Sequence, residues 1–210
     1  MKNLCVFCGS GNRIRQTYVD QTVLLAKGLV SRGLNLVFGG GQNGLMGVLA
    51  DTVIEEGGQI IGVIPESLYK LGVHHKGIQD LRVVQTLHER KALMLSISDG
   101  FVALPGGYGT LEEFSEVLSW AQLGLHQKPC AILNIDGYYD SLIEFFDKTI
   151  QEGFVRVPRK NLIIDETNPE RLLTSLENYQ PITINLQEEA AKMGQRPTKR
   201  AADGGDSAAS

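Results

Sequence analysis

The chain has 210 residues, a net charge of −4, and 42% hydrophobic against 21% charged residues, a composition that suits one globular domain able to bury a sizeable core. The mild acidity excludes a protein that holds nucleic acid by bulk positive charge, so no nucleic-acid partner is expected. No apolar run reaches the roughly 20 residues of a membrane helix, and the apolar part of "MKNLCVFCGSG" is shorter than the about 7–15 residues of a signal peptide, so a cytoplasmic protein with no membrane partner is expected.

Residues 3–8, "NLCVFC", read as a buried strand. Cys5 and Cys8 form a C-x-x-C, but an odd separation within a strand sends the two side chains to opposite faces. Together with Cys130 they read as buried, reduced structural thiols and not as a redox pair. Residues 15–33 read as a helix with Val19, Val23, Ala26 and Val30 on one face and Gly33 at its end. A strand over 34–38 and a helix over 44–57, stopped by Gly57-Gly58, follow. Residues 59–64 are a strand closed by Pro65, and 66–80 read as a loop. Then come a strand over 81–86, a helix over 87–98, a strand over 100–104, a helix over 110–125, a strand over 129–134 and a helix over 138–152. A last strand over 161–165 and a helix over 168–178, opened by Asn168-Pro169, close the domain. The domain is drawn as 1–186. From Gln187 the chain turns polar and small, which predicts a disordered tail over 187–210.

Several of these strands are apolar throughout, the mark of parallel strands covered on both faces. Strands alternating with helices imply right-handed crossovers and hence an α/β, doubly wound parallel sheet in a single domain. In such sheets ligands bind outside the carboxyl ends of the strands. Three glycine-rich loops fall at that edge: "CGSGNR" after the first strand, "GGGQNGLMG" after the second and "PGGYGT" after the fifth.

In "PGGYGTLEE", Gly106, Gly107 and Gly109 let the backbone approach a ligand with no Cβ in the way. The helix that follows opens with unpartnered amides at the positive end of its dipole, where a phosphate fits, and the Thr110 hydroxyl can add a hydrogen bond. Thr110-x-x-Glu113 also has the spacing of a capping box, which would satisfy the helix end without a ligand. "FGGGQNGLMG" contains G-x-G-x-x-G at Gly39, Gly41 and Gly44, with Glu66 about 20 residues on; that is a dinucleotide fingerprint, or a tight turn that packs helix on sheet. In "TLHERKALML", Arg90 sits on a stripe with Leu87, Met94 and Ile97. A guanidinium on an apolar stripe needs a partner, either Glu113 or a phosphate; the alternative is a surface cluster of Glu89, Arg90 and Lys91. His74, His75, His88 and His126 lack metal-ligand spacing, so no metal is expected. There is no G-x-S-x-G elbow and no G-K-[ST] phosphate loop.

"PGGYGTLEE" matches P-G-G-x-G-T-x-x-E. With "HERK", "GGGQNGLMG", "GVIPE" and "CGS", it makes residues 3–180 resemble the LONELY GUY (LOG) family, the cytokinin riboside 5′-monophosphate phosphoribohydrolases. The resemblance implies a Rossmann-like fold with helices on both faces, commonly a homodimer with active sites near the interface. It also implies cofactor-free hydrolysis of the N-glycosidic bond of N6-substituted AMP to free base and ribose 5-phosphate. Proteins of this kind have often carried the label lysine decarboxylase, which no residue here supports independently. Carried over by position, Arg90 and Glu113 are the catalytic pair, with Lys91 beside Arg90. Gly107, Gly109 and Thr110 form the phosphate loop, and Ser10, Gly41, Met94, Gly106 and Tyr108 complete the substrate set. Ser119 stands where relatives have threonine. Two positions depart from the pattern: Leu87 replaces a methionine, and Gly72 replaces a glutamate that contacts substrate. A non-catalytic nucleotide or molybdenum-cofactor carrier of similar fold, and an NAD(P)-binding protein, are the competing readings.

Overall fold

The computed structural model describes residues 1–155 and 157–181, so the predicted tail and the domain boundary at 186 lie outside the described residues. Strand β1 (Asn3–Phe7), β2 (Asn35–Phe38), β3 (Ile60–Pro65), β4 (Asp80–Val84), β5 (Gly100–Ala103), β6 (Cys130–Leu133) and β7 (Ile163–Glu166) alternate with helices. The helices are α1 (Gln16–Ser31), α2 (Gly44–Glu55), α3 (Glu66–Lys70), α4 (Leu87–Ile97), α5 (Tyr108–Gln122), α6 (Asp140–Gln151) and α7 (Pro169–Glu177). The strands form one seven-stranded sheet in the order β4-β3-β2-β1-β5-β6-β7, with every pairing parallel. The chain winds outward in one direction through β2, β3 and β4, then returns to the centre and winds the other way from β5. The loops after β1 and β5 therefore part company at the carboxyl edge and leave a crevice between them.

Alternation along the central strands divides the core in two. Leu4, Val6, Leu36, Phe38, Val102 and Leu104 meet α1, α2 and α7 through Leu25, Leu29, Leu49, Val53 and Leu172. Cys5, Phe7, Val37, Phe101 and Ala103 meet α4 and α5 through Met94, Phe114 and Val117 on the other face. Cys5 and Cys8 indeed fall in different core clusters, and all three cysteines are buried and free. Among the described residues no helix is long and apolar enough to cross a membrane.

Three local expectations change. The loop over 66–80 begins with the short helix α3, directly after Pro65. The buried stripe of α1 centres on Thr22, Leu25, Ala26 and Leu29, with Val19, Val23 and Val30 only half-buried at its edge. Thr22 is tolerated there because its hydroxyl donates to the Tyr18 carbonyl at 2.7 Å, which satisfies a polar group that burial would otherwise penalise. Helix α5 starts at Tyr108, two residues before the expected Thr110, with Gly107 as its N-cap.

Candidate active site

The crevice is a cavity of about 580 Å³, within the range of small-molecule sites. Its walls come from all three glycine-rich loops: Cys8, Gly9 and Ser10 after β1, Gly39, Gly41 and Asn43 after β2, and Gly107, Tyr108, Gly109 and Thr110 after β5. Arg90 and Glu113 line it from α4 and α5, and Met46, Ile64, Leu68 and Val73 make one apolar side. That side is held in place by the backbone. Gln42 N–H donates to Val73 O at 3.0 Å and His75 N–H to Gly40 O at 2.9 Å, stitching the 72–76 segment to the loop after β2. His75 Nε2 lies 2.9 Å from Asp51 Oδ1 and ties the same segment to α2.

Helix α5 carries no side-chain cap. Its first hydrogen bond of the helical kind runs from Leu111 N–H to Gly107 O at 3.0 Å, so the amides of Tyr108, Gly109 and Thr110 precede the intrahelical ladder. The capping-box reading of Thr110 and Glu113 therefore fails on geometry: Thr110 lies inside the helix, and Glu113 turns to Arg90. Thr110 and Glu113 are three residues apart on one helix and share the cavity face.

Arg90 Nη1 lies 2.7 Å from Glu113 Oε1, with side-chain exposures of 13% and 10%. Arg90 Nε donates to Val63 O at 3.0 Å, so a β3 carbonyl fixes the fork while the carboxylate is held at one of its tines. Gly39 has a plain reason to be glycine, because a Cβ there would collide with the Arg90 guanidinium. The surface-cluster alternative for Arg90 and Lys91 gives way to two largely covered cations with partners. Lys91 Nζ pairs with Glu112 and Glu116; desolvation lowers its pKa, but the hydrogen bonds it donates to the two carboxylates leave it raised overall. Glu113 is raised above an ordinary glutamate, first by burial and further by the nearby Glu112, against the opposing pull of Arg90 and Lys91.

The start of α2 is closed. Gly44 N–H donates to Asn12 Oδ1 at 3.1 Å and Leu45 N–H to Gly9 O at 3.0 Å. Gly44 has φ +61°, and a Cβ on it would lie 2.6 Å from the Gly11 carbonyl oxygen. The G-x-G-x-x-G pattern is thus accounted for by the seat of Arg90 and by loop-to-helix packing, with its first amides already occupied. Glu66 pairs with Lys70 at 3.0 Å.

Of the residues singled out in the sequence, Ser10, Gly41, Arg90, Tyr108, Gly107, Gly109, Thr110 and Glu113 line the cavity. Gly106 lies behind it, against Thr110. Lys91 borders a neighbouring small recess with Glu116 and Trp120. Met94 is core, 1% exposed. Ser119 faces a separate cavity between α5 and α6, beside Phe146. Leu87 is 56% exposed, and Gly72, at φ +71° with open space around it, adjoins the wall residue Val73. The apolar wall residues Leu68 and Val73 were missed because they lie in a stretch with no periodicity. A hydrophobic pair flanking the chain between β3 and β4 was the only signal for them.

Known proteins resemble this chain in sequence and in fold. Residues 46–176 match the family model described as "Possible lysine decarboxylase". The chain is 47% identical over 180 residues to a probable cytokinin riboside 5′-monophosphate phosphoribohydrolase of Oryza sativa subsp. japonica, covering 86% of this chain and 85% of that protein. It is 46% identical over 181 residues to a cytokinin riboside 5′-monophosphate phosphoribohydrolase of Arabidopsis thaliana, covering 86% and 79%. Among solved structures it resembles the molybdenum cofactor binding protein of Rippkaea orientalis, with TM-score 0.64 and 20% identity over 84% of this chain and 96% of that one. The cofactor carrier of Chlamydomonas reinhardtii gives TM-score 0.63 at 20% identity over 84% and 97%; likeness at that identity is likeness of fold. By sequence over most of its length, the chain belongs to the LOG family of cytokinin riboside 5′-monophosphate phosphoribohydrolases.

Proposed function

We propose that this chain hydrolyses the N-glycosidic bond of adenosine 5′-monophosphates bearing an N6 substituent, releasing free base and ribose 5-phosphate. The observation that carries the reading is the Arg90–Glu113 pair, 2.7 Å apart, set one helical turn from the uncapped start of α5 inside one cavity.

The phosphate sits at the Tyr108–Thr110 amides, where the dipole and unpartnered donors favour an anion. That grip is remote from the reacting carbon, so its binding energy serves to place C1′ near Glu113. As the C1′–N9 bond breaks, its electron pair leaves with the purine and positive charge builds on the sugar. The Glu113 carboxylate stabilises that charge and orients the water whose oxygen bonds to C1′. The water's proton passes to the Glu113 carboxylate, which gives it up through solvent to the departing base, so that one water is consumed and the carboxylate is restored. Arg90, braced on Val63 O, holds the carboxylate in place. The apolar side formed by Met46, Ile64, Leu68 and Val73 suits a purine ring.

A reducing cytoplasmic setting is supported by three buried free thiols. A homodimer is supported by Leu125 and Phe154, 64% and 83% exposed, large apolar groups that a second copy would cover.

The test is to incubate the protein with AMP and with N6-isopentenyl-AMP and to look for free base by chromatography. Wild type releases base. Glu113→Ala and Arg90→Ala lose about 10³-fold and at least about 10²-fold in kcat, with circular dichroism unchanged. No base from wild type with either substrate ends the hydrolase reading; loss of fold in Arg90→Ala makes Arg90 structural.

A further inference from the structure

Three successive carbonyl oxygens leading into the proposed phosphate site are each taken by a donor from elsewhere in the fold. Leu104 O accepts from the Tyr139 hydroxyl at 2.6 Å. Pro105 O accepts from Gly9 N–H at 3.0 Å. Gly106 O accepts from the Tyr138 hydroxyl at 2.6 Å. Two adjacent tyrosines thus reach back to one loop from the turn after β6.

The third of these bonds falls on the softest unit of the loop. The Gly106–Gly107 peptide has glycine on both sides, so no Cβ resists its rotation. In a trans peptide the N–H points opposite to the C=O. With Gly106 O held on Tyr138, the Gly107 N–H points away from Tyr138. Gly107 is a wall of the cavity, and Tyr138 is not. A flipped peptide would turn a carbonyl oxygen toward an anion and repel it.

Tyr138 is itself held. Its ring meets Tyr18 edge-on at 5.6 Å and Tyr139 at 4.9 Å. The Arg15 guanidinium lies over the Tyr18 ring at 4.5 Å and pairs with Asp136 at 3.5 Å. Asp136 has φ +50°, a left-handed conformation found at no other non-glycine among the described residues. It lies in the turn that delivers both tyrosines, Ile135–Gly137.

We propose that Tyr138 is a positioning residue of the phosphate grip: its hydroxyl locks the Gly106–Gly107 peptide with the amide toward the cavity, and Tyr139 anchors the same loop two residues deeper. The chain thereby discriminates phosphorylated from phosphate-free ligands. The inference rests on the reading that the start of α5 takes a phosphate.

Tyr138→Phe removes the hydroxyl and keeps the ring, and Tyr138 is 43% exposed, so the packing with Tyr18 and Tyr139 is retained. Calorimetric titration of wild type and variant with ribose 5-phosphate and with adenosine reads the effect. The expected result is about fivefold weaker binding of ribose 5-phosphate, the scale of one net hydrogen bond, and an equal rise in KM for AMP. The kcat stays within about twofold and adenosine binding is unchanged. Unchanged affinity for ribose 5-phosphate overturns the proposal. So does equal weakening of both ligands, or loss of the fold, since either makes Tyr138 merely structural. If wild type binds ribose 5-phosphate and the variant loses that affinity while neither releases base from AMP, the brace stands and the hydrolase reading falls. If wild type does not bind ribose 5-phosphate, the brace falls.

Discussion

At the start of α2 the Gly44 and Leu45 amides donate to Asn12 Oδ1 and Gly9 O, at 3.1 and 3.0 Å. At the start of α5 no side chain caps the helix, and Gly107, Tyr108, Gly109 and Thr110 line the cavity. Both junctions follow a buried strand, both are rich in glycine, and both point a helix dipole at the same crevice. They differ in whether the protein has already spent its own acceptors on the first amides. At α2 the loop after β1 folds over the helix end and fills it, and the glycines there serve packing of chain against chain. At α5 the loop's carbonyls are drawn backward, onto Gly9, Tyr138 and Tyr139, and the amides are left for a ligand. Glycine content marks where a backbone comes close to something; the acceptor inventory says whether that something is protein or ligand.

Substitutions at the two junctions should therefore separate. Thr110→Val is nearly isosteric and removes a hydroxyl at the open junction. A hydrogen bond to a charged phosphate is worth more than a neutral one, so KM for AMP should rise about tenfold, with the thermal midpoint within a degree or two. Steady-state kinetics beside a melting curve settles it. An unchanged KM would mean the phosphate is not gripped at α5. Asn12→Ala acts at the closed junction. It strips the acceptor from Gly44 and should cost about 1 kcal/mol in a urea titration, the usual loss for a removed helix cap, with KM for AMP unchanged. A variant that kept its stability but lost substrate affinity would show that α2, too, is a ligand site.

The sheet was legible because its central strands are short, apolar on both faces and punctuated by glycine-rich turns, and the alternation with helices leaves few topologies. The crevice followed from the placement of three such turns at one edge. The pairing of Arg90 with Glu113 was legible as a need, since a guanidinium amid Leu87, Met94 and Ile97 has to find a partner, and Glu113 was one of two candidates. What stayed hidden depends on contacts far apart in sequence. The Asn12–Gly44 and Tyr138–Gly106 bonds each join residues 32 positions apart, and no local pattern announces either. Helix α3 is five residues long, too short to show a period. Tyr-Gly looks like loop in the sequence, which sets the expected start of α5 at Thr110, two residues after the observed one. Thr-x-x-Glu fits the capping box equally well by spacing, and only the position of Gly107 distinguishes the two. Met94 and Ser119 illustrate the limit of transfer by position: one is core, and the other faces a different cavity of the same chain.

The smallest expected effect sets the open site against its own cost. Burial and the Glu112 charge hold Glu113 above the ordinary glutamate range even with Arg90 at 2.7 Å. A carboxyl whose folded-state pKa exceeds its unfolded value binds its proton more tightly in the fold. Its favourable contribution is therefore full below the unfolded value of about 4.3 and fades as pH rises through the folded value. Once pH has risen past the folded value, the ionised Glu113 weighs against stability, a strain retained for its role in the cavity. Glu113→Gln removes that charge and keeps the shape. Its thermal midpoint should match wild type near pH 4 and stand above it by a few degrees at pH 7. The comparison is made without nucleotide, because a phosphate itself titrates near about 6 and would blur a kinetic profile. If wild type is the more stable protein at pH 7, the ion pair with Arg90 outweighs burial, and Glu113 then belongs with Asn12 among groups that hold the fold together.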